Sequence, residues 1–384
     1  MDLKNLKSVF IIAEIGQNHQ GDIVKAKEMI LEASRAGVDC VKFQKSCLEA
    51  KFTRNALNRP YNSPHSFGST YGEHKRFLEF TIEQFKELKD YAESCGLVFS
   101  ASAMDIVSFD ELKQLDLQFI KIGSGDTNNI PYMRHIAKQN VPLIVSTGMQ
   151  TEDTITKVYN ILNDSSANFA LLHCISSYPT KVEDTKLNYI SRYRKLYPNI
   201  SVGYSGHEIG YECSCLAILM GAKILERHFT LDKNQKGSDH CLSLNPKELR
   251  TLVDKVRLIE RNPNVIQLSS SVMSNDLLNS ITKLNLFESP MGFITKTYQP
   301  NIDDIPRSIF PCELMCKHKL GKSLIYTRDL KKGQHLVESD IGVKVSEPNG
   351  IPAEFYDDVI GKVLMRDVFY DDPVMECDTM DNSM

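Results

Sequence analysis

Between residue 9 and about residue 260, short apolar runs alternate with amphipathic helical patterns, and this alternation constrains the fold more than any other feature of the chain. Eight runs are present, at residues 9–15, 40–44, 98–102, 119–122, 143–145, 169–174, 200–204 and 223–228. Helical patterns lie between them at 23–36, 83–95, 131–139 and 154–162, and a last one follows at 246–261. Eight βα units in about 250 residues is the size of a (β/α)8 barrel. The expected class is therefore α/β, a (β/α)8 TIM barrel. A doubly wound open sheet would carry a Gly-rich phosphate turn, but residues 16–21 read GQNHQG, and Gly123 and Gly125 are followed by Asn128, so neither satisfies the GxGxxG pattern.

The chain of 384 residues is too long for the barrel alone. From 262 to 311 the periodicity gives way to SSS, Asn, Pro and scattered hydrophobes, which marks a linker or insertion. Short alternating runs return at 323–326, 342–345 and 361–365, separated by KKGQ, EPNG and DDP turns. The expected division is a barrel at 1–261, a linker at 262–311 and a small β-rich domain at 312–384. Within the barrel, 53 residues separate Gln44 from Val98, so 46–80 is an elaborated loop at the strand tips. Its Arg54, Arg59, His65, His74, Lys75 and Arg76 suit either a basic lid over an anionic substrate or a solvated charged surface.

Composition narrows the function classes. A net charge of −4 and the absence of Trp leave neither an electrostatic footprint nor the usual stacking platforms for nucleic acid. Glu14 interrupts the first apolar run too early for a secretory signal, and no run approaches the roughly 18 apolar residues of a membrane span. A cytoplasmic protein with ten reduced cysteines is expected. Cys213 with Cys215, and Cys312 with Cys316, lack the spacing of a zinc or redox motif.

In a barrel, alternate residues of each strand point inward, and the strand C-terminal ends form the active-site face. Glu14 shares parity with Ile12 and Gly16, whereas Ile11, Ala13 and Ile15 face the helices. By the same alternation Lys42, Gln44 and Lys121 point inward. Such charges cost several kcal/mol if unpaired, so they need partners or a ligand. A structural ion pair between Glu14 and a lysine is one reading; three charges at three strand tips favour a site. The eighth run ends Glu226-Arg227-His228, and the seventh leads into His207, 21 residues earlier, which puts two imidazoles on neighbouring strand tips. That pair suits a divalent metal with open positions, and Asp239 adds a carboxylate nearby. Ser102, Ser124, Ser146, Ser176 and Ser177 follow the ends of strands three to six. With Lys42, Lys121 and the amides of residues 123–125, they suit a phosphate.

These residues sit in AEIGQNHQG at 13–21, VKFQKS at 41–46, KIGSGDTNN at 121–129, STGM at 146–149, LLHCISSYP at 171–179, GYSGHE at 203–208, ERHFTLD at 226–232 and KGSDH at 236–240. Together they resemble the sialic acid synthase family, which joins phosphoenolpyruvate to an N-acetylmannosamine. The stretch RPYNSPHSFGSTYGEHKRFLEF at 59–80 resembles the animal branch, whose members use N-acetylmannosamine 6-phosphate. LGKSL at 320–324 and the chain to about 375 resemble the antifreeze-like (SAF, β-clip) domain of this family.

The resemblance implies that His207 and His228 bind Mn2+ or Mg2+. It implies that Lys42, Ser102, Lys121, Ser124 and Ser146 hold phosphoenolpyruvate. Gln44, Asp126, Tyr178 and Asp239 would contact the sugar, with Ser176 and Lys322 as further substrate-binding positions. Glu14 and Asp126 are the catalytic candidates, and Arg54, Arg59, His65, Lys75 and Arg76 are candidates for the sugar 6-phosphate. A domain-swapped homodimer is implied, because Lys322 stands where bacterial members use an Arg that reaches the partner subunit's sugar. Asp126, Ser176 and Gly206 also depart from the bacterial Glu, Asn and Asp, in agreement with the animal branch. Two other readings stay open: the same chemistry on an unphosphorylated or different sugar, and a non-catalytic binding scaffold.

Overall fold

The computed structural model describes residues 1–263, 281–287, 294, 296, 297 and 305–380. Eight parallel strands, β1 (Phe10–Gly16), β2 (Cys40–Lys45), β3 (Val98–Ala103), β4 (Ile120–Ile122), β5 (Leu143–Ser146), β6 (Phe169–Cys174), β7 (Ser201–Gly206) and β8 (Ile224–His228), pair in chain order and close into a barrel. Their bounds fall within about two residues of the apolar runs. The first outer helix, Ile23–Ala36, begins where Asp22 accepts from two first-turn amides and stops at Gly37, whose φ of 84° favours glycine.

Alternation along the strands sorts the side chains into two environments. Ile11, Ala13, Ile15, Val41 and Phe43 pack outward against the helices in the main core. Phe10, Ile12, Cys40, Phe119, Ile144, Ala170, Leu172 and Ile224 form a separate apolar cluster inside the barrel. This plug fills the N-terminal half of the interior, so inward polar residues collect at the C-terminal mouth.

Loop 46–80 is folded. It contains helices Leu48–Lys51, Arg54–Asn58 and Tyr71–Leu78, held by a small cluster of Leu48, Phe52, Ala56, Leu57 and Tyr71 that also includes Val345. The C-terminal part carries β9 (Ser323–Tyr326), β10 (Ile341–Lys344), β11 (Val363–Leu364) and β12 (Thr379–Met380) in two antiparallel pairs. It docks on the barrel mouth through Arg134, whose guanidinium grips both oxygens of Asp357 at 2.7 and 2.9 Å, and through Asn128, which donates to Glu354 at 2.6 Å. Most of the 262–311 segment lies outside the described residues. Of the part described, Ile281, Leu286, Phe287 and Ile294 are buried in the main core, so these positions pack with the barrel. No helix among the described residues is long and apolar enough to cross a membrane.

Candidate active site

Strand register brings the inward charges into one layer. Glu14 of β1 stands level with Lys42 of β2 on one side and His228 of β8 on the other, and Ser102 of β3 pairs in register with Gln44 and Lys121. Lys42 makes an ion pair with Glu14 and donates to Ser102 Oγ at 2.9 Å. Gln44 donates to the other Glu14 oxygen at 2.8 Å. Lys121 pairs with Glu226 at 3.1 Å, and Ser205 donates to the same oxygen at 3.0 Å. Lys42 is also 3.8 Å from Glu226, which links the two pairs into one network. The ion pair between Glu14 and a lysine therefore forms, but inside a cavity and as half of a balanced quartet.

The two carboxylates of this network are driven apart. Burial alone would raise Glu226, but Lys121 and Lys42 hold it down to about 2, so it stays ionised. Glu14 is raised by burial and by the neighbouring Glu226, and Lys42 offsets this only in part. A fixed anion beside a carboxylate that exchanges protons more readily is the pattern of acid–base sites.

Above the quartet opens a cavity of about 520 Å³. Its walls carry six lysines against four carboxylates, an excess of positive charge that suits an anionic ligand. Ser124, Ser146 and Ser176 line it, and the Ser146 hydroxyl is buried without a hydrogen-bond partner among the described residues. A side chain at Gly148 would overlap the Ser124 and Ser176 hydroxyls, so glycine is needed for the serines to converge. The Ser176 amide donates to Glu313 at 3.1 Å, and so does the Met149 amide at 2.8 Å.

Asp126 is raised by burial and receives Lys322 at 3.0 Å; the same ammonium donates to Met104 O at 3.0 Å. Here one chain supplies both partners. The Tyr178 ring lies 4.1 Å from that of His207, and Asp239 accepts from Ser238 at 2.8 Å beside them. The His207 and His228 ring centres are 5.4 Å apart. His207 Nδ1 bonds Ile175 O at 3.0 Å, which leaves Nε2 for a ligand. Burial pushes His228 down to about 3, so its imidazole is neutral, and its buried Nδ1 has no partner among the described residues. Two imidazoles this close on neighbouring strand tips suit a divalent cation. Among the described residues no third His, Cys, Asp or Glu completes a ligand group, so water and substrate oxygens would fill the remaining positions.

The basic loop is redistributed. Of its five candidate cations only Lys75 lines the cavity. Arg54 is exposed, Arg59 lies 4.3 Å over the Tyr71 ring and pairs with Glu347, and Arg76 pairs with Glu49 on the surface. His65 accepts from the Gly237 amide at 3.2 Å, outside the cavity. The helix explains the sorting: Tyr71, His74, Lys75 and Leu78 share the inward face, and Arg76 is turned away. Lys51, Lys319, Glu226 and Ser205 line the cavity although sequence reasoning assigned them no role. Glu226 was within reach, since it shares inward parity with His228 in β8; Lys51 and Lys319 carry no such signal.

An apolar barrel plug beneath a mouth of paired charges, serines and imidazoles defines a barrel enzyme that acts on an anionic small molecule. Comparison with known proteins narrows the class. The NeuB family pattern matches residues 29–265 and the SAF domain pattern matches 321–378, and the chain belongs to the NeuB family. It is 46% identical to a Drosophila melanogaster protein named N-acetylneuraminate-9-phosphate synthase, over 97% of this chain and 96% of that one. It is 47% identical to a human protein of the same name, over 96% of this chain and 91% of that one. Among solved structures, the spore coat polysaccharide biosynthesis protein SpsE of Bacillus subtilis superposes with a TM-score of 0.74 at 25% identity, covering 98% of this chain and 96% of that one.

Proposed function

We propose that this chain condenses phosphoenolpyruvate with N-acetylmannosamine 6-phosphate to give N-acetylneuraminate 9-phosphate and phosphate. The observation that carries the reading is the likeness to the two animal synthases along almost the whole chain, across the barrel and the SAF domain alike. The chain is read as a barrel domain at 1–261 and a SAF domain at 312–384, joined by 262–311.

Lys42 and Lys121, with the hydroxyls of Ser102, Ser124, Ser146 and Ser176, hold the carboxylate and phosphate of phosphoenolpyruvate. Gln44, Asp126, Tyr178, Asp239 and Lys322 orient the open-chain sugar. The enol methylene carbon attacks the aldehyde carbon, and the aldehyde oxygen takes up a proton. Water adds to the cationic carbon left behind and Glu14 accepts one of its protons, which balances the one taken up by the aldehyde oxygen. The new hydroxyl then passes its remaining proton to phosphate as the C–O bond to the bridging oxygen breaks, the ketone forms and phosphate leaves with that oxygen. His207 and His228 are the residues that would hold Mn2+ or Mg2+, whose chemistry here is Lewis-acid polarisation of the aldehyde oxygen. Phosphate release with phosphoenolpyruvate, metal and each acceptor tests the reading. Release with the phosphorylated sugar is expected. Release only with the unphosphorylated sugar would replace the acceptor, and release with neither would return the chain to the scaffold reading.

His228→Ala is expected to weaken Mn2+ binding by at least about tenfold, measured by calorimetry on the purified protein; unchanged affinity removes His228 from the ligand set. The assembly is read as a homodimer in which the C-terminal domains exchange, so that Lys322 of one subunit meets Asp126 of the other. Mixing inactive Glu14→Ala and Lys322→Ala proteins should then restore part of the activity, and no recovery keeps the contact within one chain. The ten free cysteines support residence in a reducing compartment, the cytoplasm.

A further inference from the structure

The outer end of the cavity holds a group of cations that the chemistry at the barrel centre does not use. Lys51 comes from helix Leu48–Lys51, Lys75 from Tyr71–Leu78 and Lys319 from Leu314–Leu320, and all three line the cavity. They gather on one aromatic floor. The ammonium groups of Lys75 and Lys319 each stand 5.7 Å from the centre of the Tyr71 ring, and Lys319 stands 5.5 Å from that of Tyr61. Lys51 lies 5.1 Å from the Phe52 ring, which packs edge-on to Tyr71 at 5.5 Å.

These cations lack counterions. Lys75 donates to the neutral Gln17 Oε1 at 2.8 Å, and Lys51 contacts Met104 Sδ at 2.6 Å. Among the described residues no carboxylate stands within ion-pair distance of any of the three. The carboxylates that act on Lys51 from further away are already engaged, Asp126 by Lys322 and Glu79 by the Ser46 amide. Burial, then repulsion from Lys75, pushes Lys51 down to about 7. A cluster that strains to keep its charge gains when a dianion arrives, because each ammonium, buried at Lys51 and half-buried at Lys75 and Lys319, then acquires a charge-assisted bond.

We propose that Lys51, Lys75 and Lys319 form the subsite for the phosphoryl group at the far end of the acceptor sugar, and so set the preference for a phosphorylated over a plain acceptor. The inference rests on the acceptor reading above: it keeps Lys75, the one of the five sugar-phosphate candidates that lines the cavity, and adds Lys51 and Lys319, to which sequence reasoning gave no role. Two of the lysines belong to loop 46–80 and the third to the helix that leads into the C-terminal domain, so the bound phosphate would tie these two segments together over the reacting atoms.

The test measures phosphate release from phosphoenolpyruvate with N-acetylmannosamine 6-phosphate and with N-acetylmannosamine, for the wild type and for Lys75→Met and Lys319→Met. In each variant the ratio of kcat/KM for the phosphorylated over the plain sugar should fall by on the order of ten- to a hundredfold, chiefly through KM. Lys319→Arg, which keeps the charge, should retain most of the ratio. An unchanged ratio in both methionine variants, including one where both sugars lose equally, overturns the subsite and leaves the acceptor reading standing. A wild type that prefers the plain sugar overturns the acceptor reading and the subsite together.

Discussion

Replacing Glu14 by glutamine is expected to lower kcat by about 10²–10⁴-fold, the usual contribution of a positioned acid–base group. The argument lies in the contrast with Glu226. Both carboxylates are buried in one network, yet Glu226 is held at about 2 by two lysines while Glu14 is pushed up from its ordinary value. Of the two, only Glu14 is raised, which moves its titration toward neutral pH while Glu226 stays ionised. Acting as the base toward water, Glu14 is competent when ionised, so the rate should rise with pH as it deprotonates. The acid limb should lie above the usual carboxylate range and vanish in Glu14→Gln. The fold should survive, because Lys42 keeps Glu226 at 3.8 Å as a counterion. A variant with kcat within tenfold of wild type, or with the acid limb unchanged, would remove Glu14 from the proton-transfer role.

The second large effect concerns stability. Arg307 and Glu313 are both fully buried and bonded to each other at 2.7 and 2.9 Å. Glu313 also accepts from the amides of Met149, Ser176 and Phe310. Glu313→Ala would leave a guanidinium with no carboxylate and three amides without an acceptor, a loss of about 3–5 kcal/mol. Two of those amides follow β5 and β6, the strands that carry Ser146 and lead to Ser176, so KM for phosphoenolpyruvate should rise with the loss of stability. Thermal unfolding and steady-state kinetics read the two effects. The double change Arg307→Met, Glu313→Gln should recover part of the stability, since it removes the unpaired charge. A Glu313→Ala protein as stable as wild type would mean that the pair does not clamp these loops.

Much of the site was legible in the strands because the period of two is a local property. Ile11, Ala13 and Ile15 on one parity leave Glu14 on the other, and closing the barrel puts it inside whatever the distant chain does. The same reasoning placed Lys42, Gln44 and Lys121. The 46–80 loop gave no such rule. Its cations read equally as a basic lid or a solvated surface, because the direction of each depends on the phase of short helices that form only around Phe52, Tyr71 and Val345, residues far apart in the chain. Lys319 comes from a helix just before the C-terminal domain and reaches the cavity only when that part docks on the barrel mouth.

The amino-acid sequence by itself determined the barrel, the polarity of its two ends and the set of charges that must point inward, because alternation and helical periodicity act over a few residues. Tertiary structure alone decided which charges neutralise each other and which remain free for a ligand. Lys42 chooses Glu14 through strand register and Lys121 meets Glu226 across the barrel, while Lys51, Lys75 and Lys319 meet through the docking of distant segments with no carboxylate of the described residues at ion-pair distance. Electrostatic pairing falls off over a few ångströms of space, and no local pattern along the chain encodes those distances.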